Sequence, residues 1–109
     1  MNLKKFAGVD SYYRDIRTGN EIEFREYMAR IVNKIGIDKI EPYIPFEISD
    51  VKEMLKYDAH LNNLPLRKWD YAASYMDNLL ARNGITAFSQ SEKVCILKEA
   101  ARILAERER

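Results

Sequence analysis

The chain carries one histidine and one cysteine, His60 and Cys95, and these are its only side chains that ordinarily react near neutral pH. A Cys–His nucleophile pair requires the imidazole within hydrogen-bond reach of the thiol. The two residues are far apart in sequence, so the pair exists only if the fold closes that gap. Cys95 is expected to project beside Glu99 and Arg102 on the charged side of its helix. An arginine there lowers a thiol pKa and a glutamate raises it. His60 lies opposite Val51 on its own helix and reads as solvated. No glycine-rich phosphate loop, H-E-x-x-H, paired Cys or Cys/His spacing, or G-x-S-x-G is present. No catalytic residue, cofactor or metal ligand is therefore assigned. An enzyme ranks third among the functions considered, because it would need His60 and Cys95, or several carboxylates, to converge in one pocket.

Contact chemistry is better represented. Between Pro65 and Gly84, the residues Trp69, Ala72, Ala73, Met76, Leu79 and Leu80 recur at spacings of three and four, forming one stripe of a helix. About half a turn round, at ~100° per residue, come Lys68, Tyr71, Tyr75, Asn78 and Arg82. Two readings of this second stripe compete. The tyrosines can pack under neighbouring helices with their hydroxyls at the rim. Alternatively the stripe is a protein-binding face, since Tyr, Trp and Arg bring large rigid area and a polar handle to interfaces. Burial or exposure of Tyr71 and Tyr75 decides between them.

A second cluster, Tyr12, Tyr13, Arg14 and Arg17, mixes aromatic and cationic groups, the chemistry that stacks on and neutralises a nucleotide or single strand. Against it, 18 basic and 17 acidic residues leave a net charge of only +1. A sequence-independent grip on nucleic acid needs a positive surplus, so nucleic-acid binding is the runner-up. A helix–turn–helix reader built from the last two helices is weaker still, because the link around 84–90 exceeds the usual ~3–4-residue turn. The single cysteine precludes an internal disulfide and fits a reducing compartment. No apolar run nears the ~20 residues that span a bilayer. The opening MNLKKFAGVD lacks the apolar stretch of a secretion signal. The expectation is a cytoplasmic protein that does not engage a membrane.

The elements that must position these groups read as helices. Asn20 and Glu23 suggest the start of a helix over about 20–35, with Phe24, Tyr27, Met28, Ile31, Val32 and Ile35 on one stripe and Gly36 ending it. Residues 37–48 contain Pro42 and Pro45 and read as an ordered connector tucked down by Tyr43, Ile44 and Phe46. Ser49 is expected to cap a helix over about 50–61, with Val51, Met54, Leu55 and Ala59 inward. The helix over 65–83 opens on Pro65 and closes on Gly84.

Ser89 and Glu92 form an S-x-x-E capping box for a last helix, 90–107. Its apolar residues Val94, Ile96, Leu97, Ala100, Ala101, Ile103 and Leu104 cover more than the ~100° of a helix on one core face. Either it is sandwiched between two layers, or part of it meets a second copy in a homodimer. Residues 1–19 read as a weakly ordered arm, with 10–17 the candidate for a short additional helix. At 109 residues and 47 % hydrophobic, the expectation is one all-α domain over 1–109. Its architecture reads as an irregular bundle of four to five helices, since no heptad run lasts three repeats.

The blocks YIPFEI (43–48), NNLPLRKWDYAA (62–73) and GITAFSQSEKVCILKEAARIL (84–104) resemble small uncharacterised proteins carried by phages and integrative elements of Firmicutes. The resemblance covers roughly the last two-thirds of the chain and brings no catalytic residues with it. It implies an accessory protein that binds a host or defence protein, in some cases as an oligomer. The leading expectation is therefore a non-enzymatic protein-interaction module using Lys68, Tyr71, Tyr75, Asn78 and Arg82.

Overall fold

A computed structural model describes residues 3–5, 12–15, 21–58, 61–85 and 88–107, with side chains from Glu26 onward. The core is built by helices, and the class is all-α as the periodicities predict. Gly36 and Gly84 punctuate the chain where expected. Gly36 takes φ +103° and its N–H returns to the Val32 carbonyl at 2.9 Å. Gly84 takes φ +73°, a left-handed conformation that a side chain would strain.

Helix α1 spans Phe24–Ile35 and buries Tyr27, Met28, Ile31, Val32 and Ile35. Its start differs from the expected 20. Glu21–Glu23 is instead strand β3, paired with β2 (Tyr12–Asp15), which pairs in turn with β1 (Leu3–Lys5) in an antiparallel meander. The helix considered for 10–17 is thus not formed across Tyr12–Asp15. Consecutive aromatic residues favour extended backbone, and the ladders to β1 and β3 offer these peptide groups partners along both edges.

The connector is ordered, as expected, but it is not extended. Ile37–Ile40 makes one helical turn, α2, and Glu41–Tyr43 a 3-10 turn with Pro42 in its first positions, where no N–H is missed. Ile40 is fully buried, and Tyr43, Ile44 and Phe46 pack half-buried on the core.

Helix α3, Ile48–Leu55, starts and ends earlier than the expected 50–61, and Glu47 rather than Ser49 occupies its N-cap position. Its end follows from Asp58. The Asp58 carboxylate accepts the Asn62 N–H at 2.7 Å, and its carbonyl accepts the Leu61 N–H at 3.1 Å. Such local bonds compete with continued helix. They leave Leu61 at φ +57° with its side chain in the core, an uncommon conformation for a residue with a branched side chain. Ala59 and His60 lie outside the described residues.

The helix expected over 65–83 is two, α4 (Leu66–Ser74) and α5 (Asp77–Arg82), joined by a tightened turn at Tyr75–Met76. The Tyr75 and Met76 N–H groups bond three residues back, to Ala72 and Ala73. The Asp70 carbonyl explains the break. It accepts the Ser74 hydroxyl at 3.0 Å and the Gln90 side-chain amide at 2.8 Å. Back-bonding by serine to the carbonyl four residues earlier bends helices.

Helix α6, Gln90–Arg107, begins at the capping box the sequence predicts. The Ser89 N–H donates to the Glu92 carboxylate at 3.0 Å, and the Glu92 N–H donates to Ser89 Oγ at 3.3 Å. Replacing Ser89 with alanine is expected to cost about 1 kcal/mol, read as a lowered urea midpoint with unchanged slope. The α6 helix is the centre of the molecule. It packs against α1, α3 and α4, and Val94, Ile96, Leu97, Ala100, Ala101 and Ala105 are buried in one continuous core. The sandwiched arrangement accounts for its wide apolar arc, with Ile103 and Leu104 left half-buried.

Candidate functional site

The α4–α5 segment has an inner and an outer side. Trp69, Ala72, Ala73, Met76, Leu79 and Leu80 are all buried, as their spacing predicts. Lys68, Tyr71, Tyr75, Asn78 and Arg82 are all exposed, Tyr71 at 68 % and Tyr75 at 58 %. The packed-tyrosine reading is therefore excluded. Tyr57 and Leu66 are the other large apolar side chains left in solvent among the described residues.

The tyrosine pair is organised. The rings meet edge to face, centroids 5.1 Å apart at 71°, and the Tyr75 hydroxyl donates to the Tyr71 hydroxyl at 2.8 Å. Giving its proton to Tyr71 raises the Tyr75 pKa above its ordinary 10.0, with the charge of an ionised Tyr71 a further cause. The Tyr75 phenol therefore stays neutral throughout the physiological range. Lys68 extends over the Phe46 ring with Nζ 5.6 Å from its centroid, and Phe46 lies 5.0 Å from Trp69. Such a cation–π contact anchors the lysine stem while leaving the ammonium wet. Arg82 folds back so that Nε donates to the Asn78 carbonyl at 3.3 Å.

Arg67, one turn before Tyr71 and also exposed, belongs to the same face, although the sequence reading left it out. The i, i+4 spacing of Arg67, Tyr71 and Tyr75 is the signal that would have found it. Among the described residues, no carboxylate lies within ion-pair distance of Arg67, Lys68 or Arg82.

The other sequence candidates fare differently. Tyr12, Tyr13 and Arg14 fall on β2, where the backbone register sets Tyr12 opposite Glu23, Tyr13 opposite Ile22 and Arg14 opposite Glu21. Arg17 and His60 lie outside the described residues. Cys95 is half-buried against the core, not on an open charged side. Burial pushes its thiol up, Lys98 pulls it down and Glu92 pushes it up again. Little thiolate is therefore present at pH 7, and Cys95 is expected to react with a disulfide reagent more slowly than free cysteine, rapidly once the chain is denatured.

The charged neighbours expected beside Cys95 are occupied elsewhere. Arg102 clamps the buried Glu99 carboxylate with Nε and Nη2, the Nε bond measuring 2.9 Å, and reaches Glu106 through Nη1 at 2.6 Å. A recess of about 240 Å³ between α5 and the start of α6 is lined by Asp77, Leu80, Ala81, Ile85, Phe88 and Lys93. Its two charged groups are paired with each other, and Cys95 does not line it. Among the described residues, no three potential metal ligands converge, and no helix is long and apolar enough to cross a membrane.

Set against known protein families, curated proteins and solved structures, the chain finds no match.

Proposed function

We propose that this chain is a non-enzymatic protein-interaction module whose contact surface is the outer face of α4–α5. The observation that carries the reading is the pair Tyr71–Tyr75, two large aromatic side chains held together in solvent with no core to serve. A fixed aromatic pair loses little side-chain entropy on binding, which makes it an efficient contact residue set. Lys68, Asn78 and Arg82, exposed on the same α4–α5 segment, add hydrogen-bond donors of the kind that form the polar rim of such interfaces. The mode of action is occlusion or bridging of a partner. The resemblance of 43–48, 62–73 and 84–104 to small uncharacterised proteins of phages and integrative elements implies an accessory role, which favours a host or defence protein as that partner.

The test is a double variant, Tyr71→Ser with Tyr75→Ser. Both side chains are exposed, so the change in stability is expected to stay within about 0.5 kcal/mol. Capture of protein partners from the native host is expected to be lost, with mass in solution measured on both forms. A variant that loses its fold, or one that keeps every partner of the wild type, removes the proposal.

A further inference from the structure

We infer that the α4–α5 face takes an acidic protein segment, carboxylates first, rather than a neutral apolar surface or a nucleic acid; this rests on the contact surface proposed above. Three observations converge. The face carries Arg67, Lys68 and Arg82, all exposed and all without a carboxylate partner among the described residues. The two acidic residues of α4–α5 are Asp70, half-buried, and Asp77, which is paired with Lys93. The field over the tyrosines is therefore positive although the chain as a whole is nearly neutral.

The two hydroxyls form one hydrogen bond between them, 2.8 Å long. One O–H is used between the two oxygens, and the other proton of the pair remains to be donated outward. A hydroxyl already accepting one hydrogen bond is polarised into a better donor for the next. An incoming carboxylate satisfies that donor and neutralises the flanking cations; an amide or an aliphatic side chain does only part of this.

Lys68 precedes the tyrosines on α4 and Arg82 follows them at the end of α5. They bracket the tyrosines, so the complementary segment has acidic ends and an apolar middle that meets the two rings. A single-stranded nucleic acid also likes tyrosine and cations, but it stacks bases on open ring faces. Here the rings close edge to face on each other, and the net charge of +1 supplies no wider track for phosphates.

The experiment uses the full chain and fluorescein-labelled peptides of one length sharing the same central leucines and tryptophan. Their end positions carry glutamate, glutamine or lysine, and oligodeoxythymidylate serves as a fourth probe. Anisotropy titrations at about 100 mM salt are expected to rank the glutamate peptide first, about tenfold or more over glutamine. The variant Lys68→Glu/Arg82→Glu, with its melting temperature checked, is expected to lose that preference and to favour the lysine peptide.

Equal binding of the glutamate and glutamine peptides, or tightest binding of the oligonucleotide, overturns the inference. So does failure of every peptide to bind. The partner-capture experiment separates the two ideas. If the charge-reversed variant still captures the partner that Tyr71→Ser/Tyr75→Ser loses, the contact surface stands and its acidic preference is wrong.

Discussion

Replacing Trp69 with alanine is expected to destabilise the protein by ~3–5 kcal/mol, against a total of ~5–15 kcal/mol for a domain of this size. Trp69 is 0 % exposed and is the largest fully buried side chain of the core. It projects from α4 into a core shared with α6, and Phe46 of the connector covers it with a ring tilted at 56°. Truncation removes the indole volume and leaves a cavity that three elements would have to collapse into. Trp69→Phe isolates a second contribution. The indole Nε1–H is buried with no acceptor among the described residues, a defect that costs ~1–3 kcal/mol. Phenylalanine deletes the defect along with part of the volume, so its cost is expected to fall well below that of alanine. Urea unfolding of the two variants measures the difference. If phenylalanine proves as costly as alanine, the buried N–H is not the liability described.

Arg102→Met is expected to cost about 2–4 kcal/mol at neutral pH, a large effect for a residue near the end of a helix. The Glu99 side chain is only 7 % exposed, and two of its hydrogen bonds come from Arg102. Removing the guanidinium strands a buried carboxylate. The Glu99 bond raises the Arg102 pKa above its ordinary value against the opposing effect of burial, with the Glu106 contact adding to the rise. A raised pKa on a cation stabilises the fold at every pH below its ordinary value and is lost only above it. The pair in the wild type is therefore insensitive to alkali within the working range. The double variant Glu99→Gln/Arg102→Met is expected to recover much of the loss, because no charge remains to be buried. Chemical denaturation of the two singles and the double closes the cycle. Additive losses would show that the two side chains do not act as a pair.

Reading residues in order recovers different things at different ranges. Gly36, Gly84 and the Ser89–Glu92 box mark helix ends through bonds to groups within four residues, so they are visible locally. The Glu26–Arg30 pair, 2.8 Å apart, is visible for the same reason. The break at Tyr75–Met76 is not, because one of the bonds that competes for Asp70 comes from Gln90, twenty residues on. The Tyr12–Asp15 strand depends on β1 and β3, and Glu21–Glu23 left the expected helix to join it. Glu99 shows the limit most plainly. Its position among charged residues of α6 suggests an outer side, yet it is buried, because α6 is covered by helices on several sides.

The same division applies to the outer face of α4–α5. By itself the sequence determined that the segment after Pro65 is helical and carries two stripes, one of alanine, leucine and tryptophan, the other of tyrosine and cations. That follows from a 3.6-residue period, a property of each helix alone. Only the tertiary structure decided that α6 and the connector cover the first stripe and that none of the described residues covers the second. Which side of a helix is dry depends on the elements that arrive beside it, and these are set by packing between distant parts of the chain.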